Sequence, residues 1–289
     1  MTRSLLDPII AYVRARPSRT WSLVISFFGD AIVPRGGEAD LVTLIAFCAG
    51  LAIDAGAVRT ALSRLVQDGW FNREKRGRNS FYRLSPHGDE LFVRAAMRIY
   101  APAPPPATRE LTMLLAPGAS RKGALAAEFT ERGYGSPQAG VWIAPQTETE
   151  LPPTPDLLRL AATGDAVTLQ RLAARSWPLQ ELGQHYRDFI TAFTPLADEL
   201  DKDADLNEAQ SLLARVLLIH EYRRIALRDP HLPSALLPND WPSARARSLS
   251  ARLYARLYQP AENWLDRHAI TSSGNALPPS LASLSRFEG

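Results

Sequence analysis

Apolar positions along the chain change spacing twice, and the changes mark three blocks. In the first, Trp21–Phe28 is apolar enough to form a buried helix, ended by Gly29-Asp30. Pro34-Arg35-Gly36-Gly37 then makes a turn, and Glu38–Gly50 is predicted as the next helix. Asp54 can cap a third, running through Arg59 to Gln67 and closed by Gly69. At about 100° per residue, Val58, Leu62, Leu65 and Val66 of that helix share one side. Thr60, Ser63, Arg64 and Gln67 fall opposite, with Arg59 at the margin. Two strands are predicted next, Trp70–Lys75 and Ser80–Leu84, joined by the basic tip Arg76-Gly77-Arg78-Asn79. The block, residues 1–100, ends at a linker over 101–106 whose prolines favour an extended spacer.

The second block, 107–176, alternates element types. Leu111–Leu115 reads as a short buried strand, Ser120–Arg132 as a helix, and Val141–Pro145 as a second strand. Ala166–Leu169 is expected to add another strand, and Gln146–Asp156 to be a loop. Strand, helix and strand in this length predict a small α+β domain. The third block, 177–270, is helical, with apolar residues at three- and four-residue spacing over Leu179–Leu200 and Leu206–Arg228. A further helix over Leu249–Asp266 should be interrupted near Pro260. The Ser-, Gly- and Pro-rich tail 271–289 is expected to be mobile. The fold class is thus mainly α, with an α+β part.

Composition is that of a soluble globular protein, with 46% hydrophobic and 22% charged residues. With no long apolar run and no leader pattern, the expected compartment is cytoplasmic. The single cysteine, Cys48, lies in an apolar run and suits a buried position. Charge changes the picture more. The net charge is only +3, yet residues 54–83 hold 7 Lys/Arg against 3 Asp/Glu. Such a local surplus is the footprint a polyanion requires.

Two helices joined by a short glycine-containing turn form a helix-turn-helix, and a basic hairpin directly after the second is a wing. A solvated helix face would also carry Arg59, Thr60, Ser63, Arg64 and Gln67; the hairpin that follows decides for DNA. The helix residues suit base edges and phosphates in a major groove, while Arg73, Lys75, Arg76 and Arg78 suit phosphate or the minor groove. A metal-dependent, nuclease-like enzyme is the contrasting reading. It needs clustered carboxylates, and the middle block supplies only Glu128 and Glu131 between its strands. His185, His220 and Glu221 lack metal-ligand spacing, and neither a phosphate loop nor a G-x-S-x-G turn occurs. No catalytic residue, metal or cofactor is assigned. Trp142, in an apolar strand, is expected in the core.

The chain resembles the PaaX family of phenylacetate-operon repressors. The likeness rests on Ser22–Phe28, Pro34–Gly37, Val58–Leu65, Gly69-Trp70, Gly77-Arg78, Tyr82–Leu84 and Arg98–Tyr100. It resumes at Gly140–Ile143, then at Tyr222–Arg224, Leu227–Pro230, Leu236–Pro238 and Trp241-Pro242. The resemblance implies an N-terminal winged helix, a ferredoxin-like middle domain and a helical C-terminal domain. It also implies a homodimer on a palindromic operator, released by an acyl-CoA effector such as phenylacetyl-CoA. A different effector, or none, is the alternative.

An acyl-CoA needs cations for its phosphates and an apolar slot for its acyl group. Candidates in the third block are Trp177, His185, Arg187, Tyr222, Arg223, Arg224 and Trp241. The plainer role for Arg223 and Arg224 is to complement the end of their helix and pair with Glu221.

Overall fold

The computed structural model describes residues 4–16, 18–100, 110–116, 123–145, 157–280 and 286–287. The linker at 101–106 and the loop at 146–156 lie outside them. Packing divides the chain into two interleaved units. One comprises Met1–Pro102, Asp188–Leu227 and Arg245–Gly289; the other comprises Ala103–Arg187 and Arg228–Ala244. Among the described residues no helix is long and apolar enough to cross a membrane.

The first unit begins with α1 (Asp7–Ala15) and α2 (Thr20–Phe27). The chain does not stop at Gly29-Asp30. It continues through a π-turn, Phe28–Ile32, and a 3-10 turn, Val33–Arg35, with Phe28, Asp30 and Ile32 all buried. The expected helix over Glu38–Gly50 is also corrected. Glu38–Asp40 is a short strand, β1, and α3 covers Leu41–Ala49. Asp40 sets that boundary because its Oδ1 accepts from the amides of Val42 (2.8 Å) and Thr43 (3.0 Å), satisfying free donors at the helix start. Next come α4 (Ala55–Gln67), β2 (Phe71–Arg76), β3 (Asn79–Leu84) and α5 (Pro86–Ile99). The sheet order is β1-β3-β2, antiparallel throughout.

The same unit contains α9 (Glu208–Ala226) and most of α10 (Ser243–His268), which follow the unit-bridging α8 (Leu179–Leu200) in the chain. Helix α9 packs against α1, α2 and α5. It is buried on nearly all sides through its middle, as a central helix must be. Helix α10 runs unbroken through Pro260. The tail also departs from expectation: Leu277 is buried, and the carbonyls of Leu277 and Pro278 accept from Arg35.

The second unit holds β4 (Glu110–Leu115), α6 (Ala124–Glu131), β5 (Gly135–Gln138), β6 (Val141–Pro145), β7 (Leu158–Thr163) and α7 (Ala166–Ser176). Its antiparallel sheet has the order β5-β6-β4-β7. Trp142 is fully buried beside Phe129, Tyr134 and Leu114, whereas Ile143 joins the cluster of Leu111, Leu169 and Trp177. The expected strand at Ala166–Leu169 is instead the first turn of α7. Asp165 caps it, accepting from Thr168 N (3.0 Å) and Thr168 Oγ1 (2.7 Å), while Leu169 and Ala173 make a four-residue apolar repeat.

A buried charge cluster closes the first unit. Arg215 donates through Nε to Asp30 Oδ2 (2.8 Å) and through Nη1 to Glu262 Oε1 (2.7 Å). Glu262 Oε2 also accepts from Arg35 (3.0 Å), whose other nitrogen meets Asp266; Asp30 Oδ1 accepts from Arg286 (2.7 Å). Removing one partner strands the others away from water. Arg215→Met is therefore expected to cost about 3–5 kcal/mol of stability, read as a lower urea midpoint.

His220, on α9, is fully buried between Ser26 Oγ (2.8 Å from Nδ1) and Ser18 Oγ (3.0 Å from Nε2). Burial first, and the charges of Arg223 and Arg224 second, push its pKa down to about 3. The unfolded ring takes a proton near pH 6.5. The associated stability is thus complete above that pH and is lost as pH falls from 6.5 toward 3. His220→Gln should flatten the pH dependence of Tm between pH 6.5 and 4.

Candidate nucleic-acid interface

Helix α4 follows α3 after a short turn and is capped by Asp54, whose carboxylate accepts from Gly56 N (2.8 Å) and Ala57 N (3.0 Å). Those two amides, Ala57 first, hold the Asp54 carboxyl below its ordinary pKa. Val58, Ala61, Leu62 and Leu65 are buried, and α4 packs on α2 and α3. Arg59, Thr60, Ser63, Arg64 and Gln67 are all exposed on the opposite face, as the wheel predicts. Thr60 Oγ1 donates back to Gly56 O at 3.0 Å. Arg64 makes an exposed contact with Asp68 at 3.4 Å, weak enough to be given up to a ligand.

The hairpin turns tightly. Arg76 pairs with Asn79, so only Gly77-Arg78 lies at the tip, with Gly77 at φ +59° as a two-residue hairpin turn requires. Arg73, Lys75, Arg76 and Arg78 are exposed. Alternation along β2 places Arg73 and Lys75 on one face and Glu74 and Arg76 on the other. Arg73 Nη2 donates to Ser80 Oγ at 2.8 Å. Arg76 pairs with Glu74 (2.6 Å) and donates to Ser272 O (3.1 Å), so it is engaged within its own unit. Burial raises the Tyr82 pKa, against the pull of Arg73 on β2 and Arg59 on α4.

The effector candidates are divided between the two units. Trp177, His185, Arg187 and Trp241 belong to the second unit; Tyr222, Arg223 and Arg224 belong to the first. Trp177 is a core residue whose Nε1 donates to Gly133 O at 3.3 Å. His185 stands 4.0 Å from Glu181. Arg187 and Trp241 do meet, with Arg171, Leu179 and Gly183, around an open cavity of about 520 Å³. In the first unit Tyr222 is buried 5.8 Å from the Phe189 ring, and Arg224 pairs with Glu221 at 3.1 Å. Arg223 Nη2 donates to Ser22 Oγ (2.8 Å) and Ser22 O (3.1 Å).

Sequence reasoning missed α5, capped by Ser85, whose Oγ accepts from Gly88 N at 2.9 Å. The spacing of Leu91, Phe92, Ala95 and Ile99 was the available signal. A Cβ on Gly88 would stand 2.2 Å from Trp70 O, so glycine there seats α5 against the base of the hairpin. No group of three or more His, Cys, Asp or Glu among the described residues is placed to hold a metal.

A family model described as PaaX-like protein matches residues 19–88, and one described as PaaX-like protein C-terminal domain matches 177–267. The transcriptional repressor PaaX of Escherichia coli (strain K12) is 34% identical over 305 residues, covering 99% of this chain and 96% of that protein. Among solved structures, the uncharacterized protein Rv0674 from Mycobacterium tuberculosis matches with a TM-score of 0.51. It is 22% identical and covers 76% of this chain and 88% of its own, a likeness of fold.

An Arg64→Ala variant is expected to weaken specific DNA binding by about 1–3 kcal/mol and to relax base preference at one position of each half-site. Titration against single-base variants of the bound site checks this. Equal loss on every sequence would make Arg64 a phosphate contact.

Proposed function

The chain belongs to the PaaX family, and from that premise we propose that it is a transcriptional repressor gripping operator DNA through a winged helix formed by α3, α4 and the β2–β3 hairpin. The carrying observation is the exposed face of α4, where Arg59, Thr60, Ser63, Arg64 and Gln67 stand beside a basic hairpin. The resemblance of nearly the whole chain to a named repressor gives that face its reading. Arg64 and Gln67 address base edges, Thr60 and Ser63 approach the backbone closely, and Arg73, Lys75 and Arg78 hold phosphates. Arg76 joins them once it leaves Ser272.

The middle unit is read as ferredoxin-like. Its four strands, numbered within the unit, run 2-3-1-4, the order of that fold, with α6 as the first crossover helix. The protein works as a homodimer on a palindromic site, each winged helix taking a half-site. An acyl-CoA, phenylacetyl-CoA in the first instance, is the effector that releases DNA. The cavity between Arg171, Arg187 and Trp241 supports this with two cations beside an aromatic wall. The regulator has no catalytic role and acts in the cytoplasm.

Fluorescence anisotropy with the promoter DNA beside its own gene tests the whole reading. The expected result is tight binding that weakens steeply with salt, log K falling by about 0.9 per phosphate contact for each tenfold rise, and release by phenylacetyl-CoA. Binding indifferent to the thioester keeps the repressor and removes that effector. Failure to prefer any DNA of the locus over random duplex overturns the operator assignment.

A further inference from the structure

Strand β7 is an edge of the antiparallel sheet in the second unit. β4 pairs with one side of it, and no strand among the described residues pairs with the other. Edge strands are normally guarded by Lys, Pro, a bulge or a covering element, because their outer row of amides and carbonyls invites a further strand. Over Leu158–Thr163 β7 holds neither Lys nor Pro, and its register with β4 is unbroken for six residues. Its side chains are open as well. Leu158 is 55% exposed and Leu160 48%, and both stand outside the two apolar clusters of their unit. They share one face with Ala162, and these three pair across to Leu115, Met113 and Leu111 of β4. Leu111, Met113 and Ala162 belong to the packed core on that face, so the two leucines extend its apolar surface into the open.

We propose that β7 is where two copies of this chain meet, each laying its edge antiparallel to the other's, so that two four-stranded sheets become one of eight. The occupant follows from self-complementarity. A twofold axis at Leu160 sets Leu160 opposite its own copy, Leu158 opposite Ala162, and Arg159 opposite Ala161. Large side chains then meet small ones on either side of the central leucine pair, and no charge faces a like charge. The neighbouring registers are worse. A slip of one residue sets the leucine face of one copy beside the arginine face of the other. An axis at Arg159 opposes two guanidinium groups. An axis at Ala161 moves Leu158 past Thr163, the end of the partner strand. The register that buries both leucines is the one that spares the arginine.

Six residues a side fall short of the about 20–30 of a typical stable interface, so the pairing is reversible and its population rises with chain concentration. The contact is isologous, which is the symmetry that a palindromic site demands. The inference rests on the homodimer reading above and says where the two chains join.

Two measurements on the full chain test the contact. Sedimentation over about a hundredfold range of concentration is expected to show a monomer–dimer equilibrium, weakened about tenfold or more by Leu160→Lys. Leu160→Cys, treated with a short bis-maleimide, is expected to join chain to chain, because the axis brings the two thiols together. Cys48 does not compete, being fully buried with its thiol pushed up to about 12. The cysteine trap introduces no charge, so a Leu160→Lys protein that misfolds leaves the test standing. Joining of Leu160→Cys no faster than of a Val93→Cys control, at an exposed position of the first unit, overturns this interface even where the chain is dimeric. An undiminished dimer in a folded Leu160→Lys protein does the same, and both results keep the homodimer reading. A chain that is monomeric at every concentration removes the interface and the solution homodimer together.

Discussion

The buried charge cluster around Arg215 is the constraint on which the first unit depends. Three guanidinium groups, from Arg35, Arg215 and Arg286, meet three carboxylates, from Asp30, Glu262 and Asp266. Arg215 and Asp30 have no exposed side-chain surface. Taking such groups from water is unfavourable, and only balanced charge with good geometry recovers the loss. The recovery is specific: Asp30 accepts from two arginines, and Glu262 bridges two. The pKa of Arg215 is raised despite its burial, because Asp30, Tyr254 and Glu262 all favour its charge. These contacts bind the π-turn after α2, the 3-10 turn at Arg35, both long helices and the chain end into one body.

That body includes the candidate DNA-reading elements. Arg35 leads into β1, where Glu38 meets Arg83 of β3 and the amide of Ser272. Asp40 caps α3, and Thr43 Oγ1 lies 2.6 Å from Asp40 Oδ2 and 3.0 Å from His268 O, with its one proton available to either. The segment after α10 thus runs beside the small sheet and reaches the hairpin through Arg76. A winged helix on a tether could be moved only as a whole. Here α4 and the hairpin share a frame with α9 and α10, so a change in packing at α9 can reach them through side chains already in contact.

What was legible in the sequence was local. The faces of α4 follow from a 3.6-residue period, and the hairpin from two strands around Gly77-Arg78. What was lost was either too short or too distant. Three residues of β1 cannot show alternation, and all three are buried. The first turn of α7 contains the β-branched pair Val167-Thr168, which suggests a strand; the Asp165 cap outweighs it. The edge strand β7 carries Leu158 and Leu160 largely exposed, so it has no inward apolar signal. The effector candidates lie in one block of the chain yet belong to different units. Trp177 and Trp241 fall in one unit and Arg223 in the other, because the two units alternate along the chain, and no local pattern announces that alternation. A cavity beside Trp70 draws its walls from α2, α5 and α9, a juxtaposition that only the packed body creates.

Charge shows the same limit in a way that bears on the interface. Counted over residues 1–100, basic groups exceed acidic ones by 14 to 9. Yet Arg35, Asp30, Glu38 and Asp40 in that count are buried, and Arg35 and Asp30 find partners more than a hundred residues away. They add little to the field outside the protein. The window 54–83, with 7 cations against 3 anions, has no buried member, and its acids Asp68 and Glu74 sit beside Arg64 and Arg76. Those two pairs are exposed and therefore weak, so a polyphosphate can compete for both arginines. On the proposed reading, this surface becomes more basic when a polyanion takes over the two arginines. Arg64, paired with Asp68, and Arg76, paired with Glu74 and bonded to Ser272 O, form an exposed set apart from the buried arginines that hold the body together.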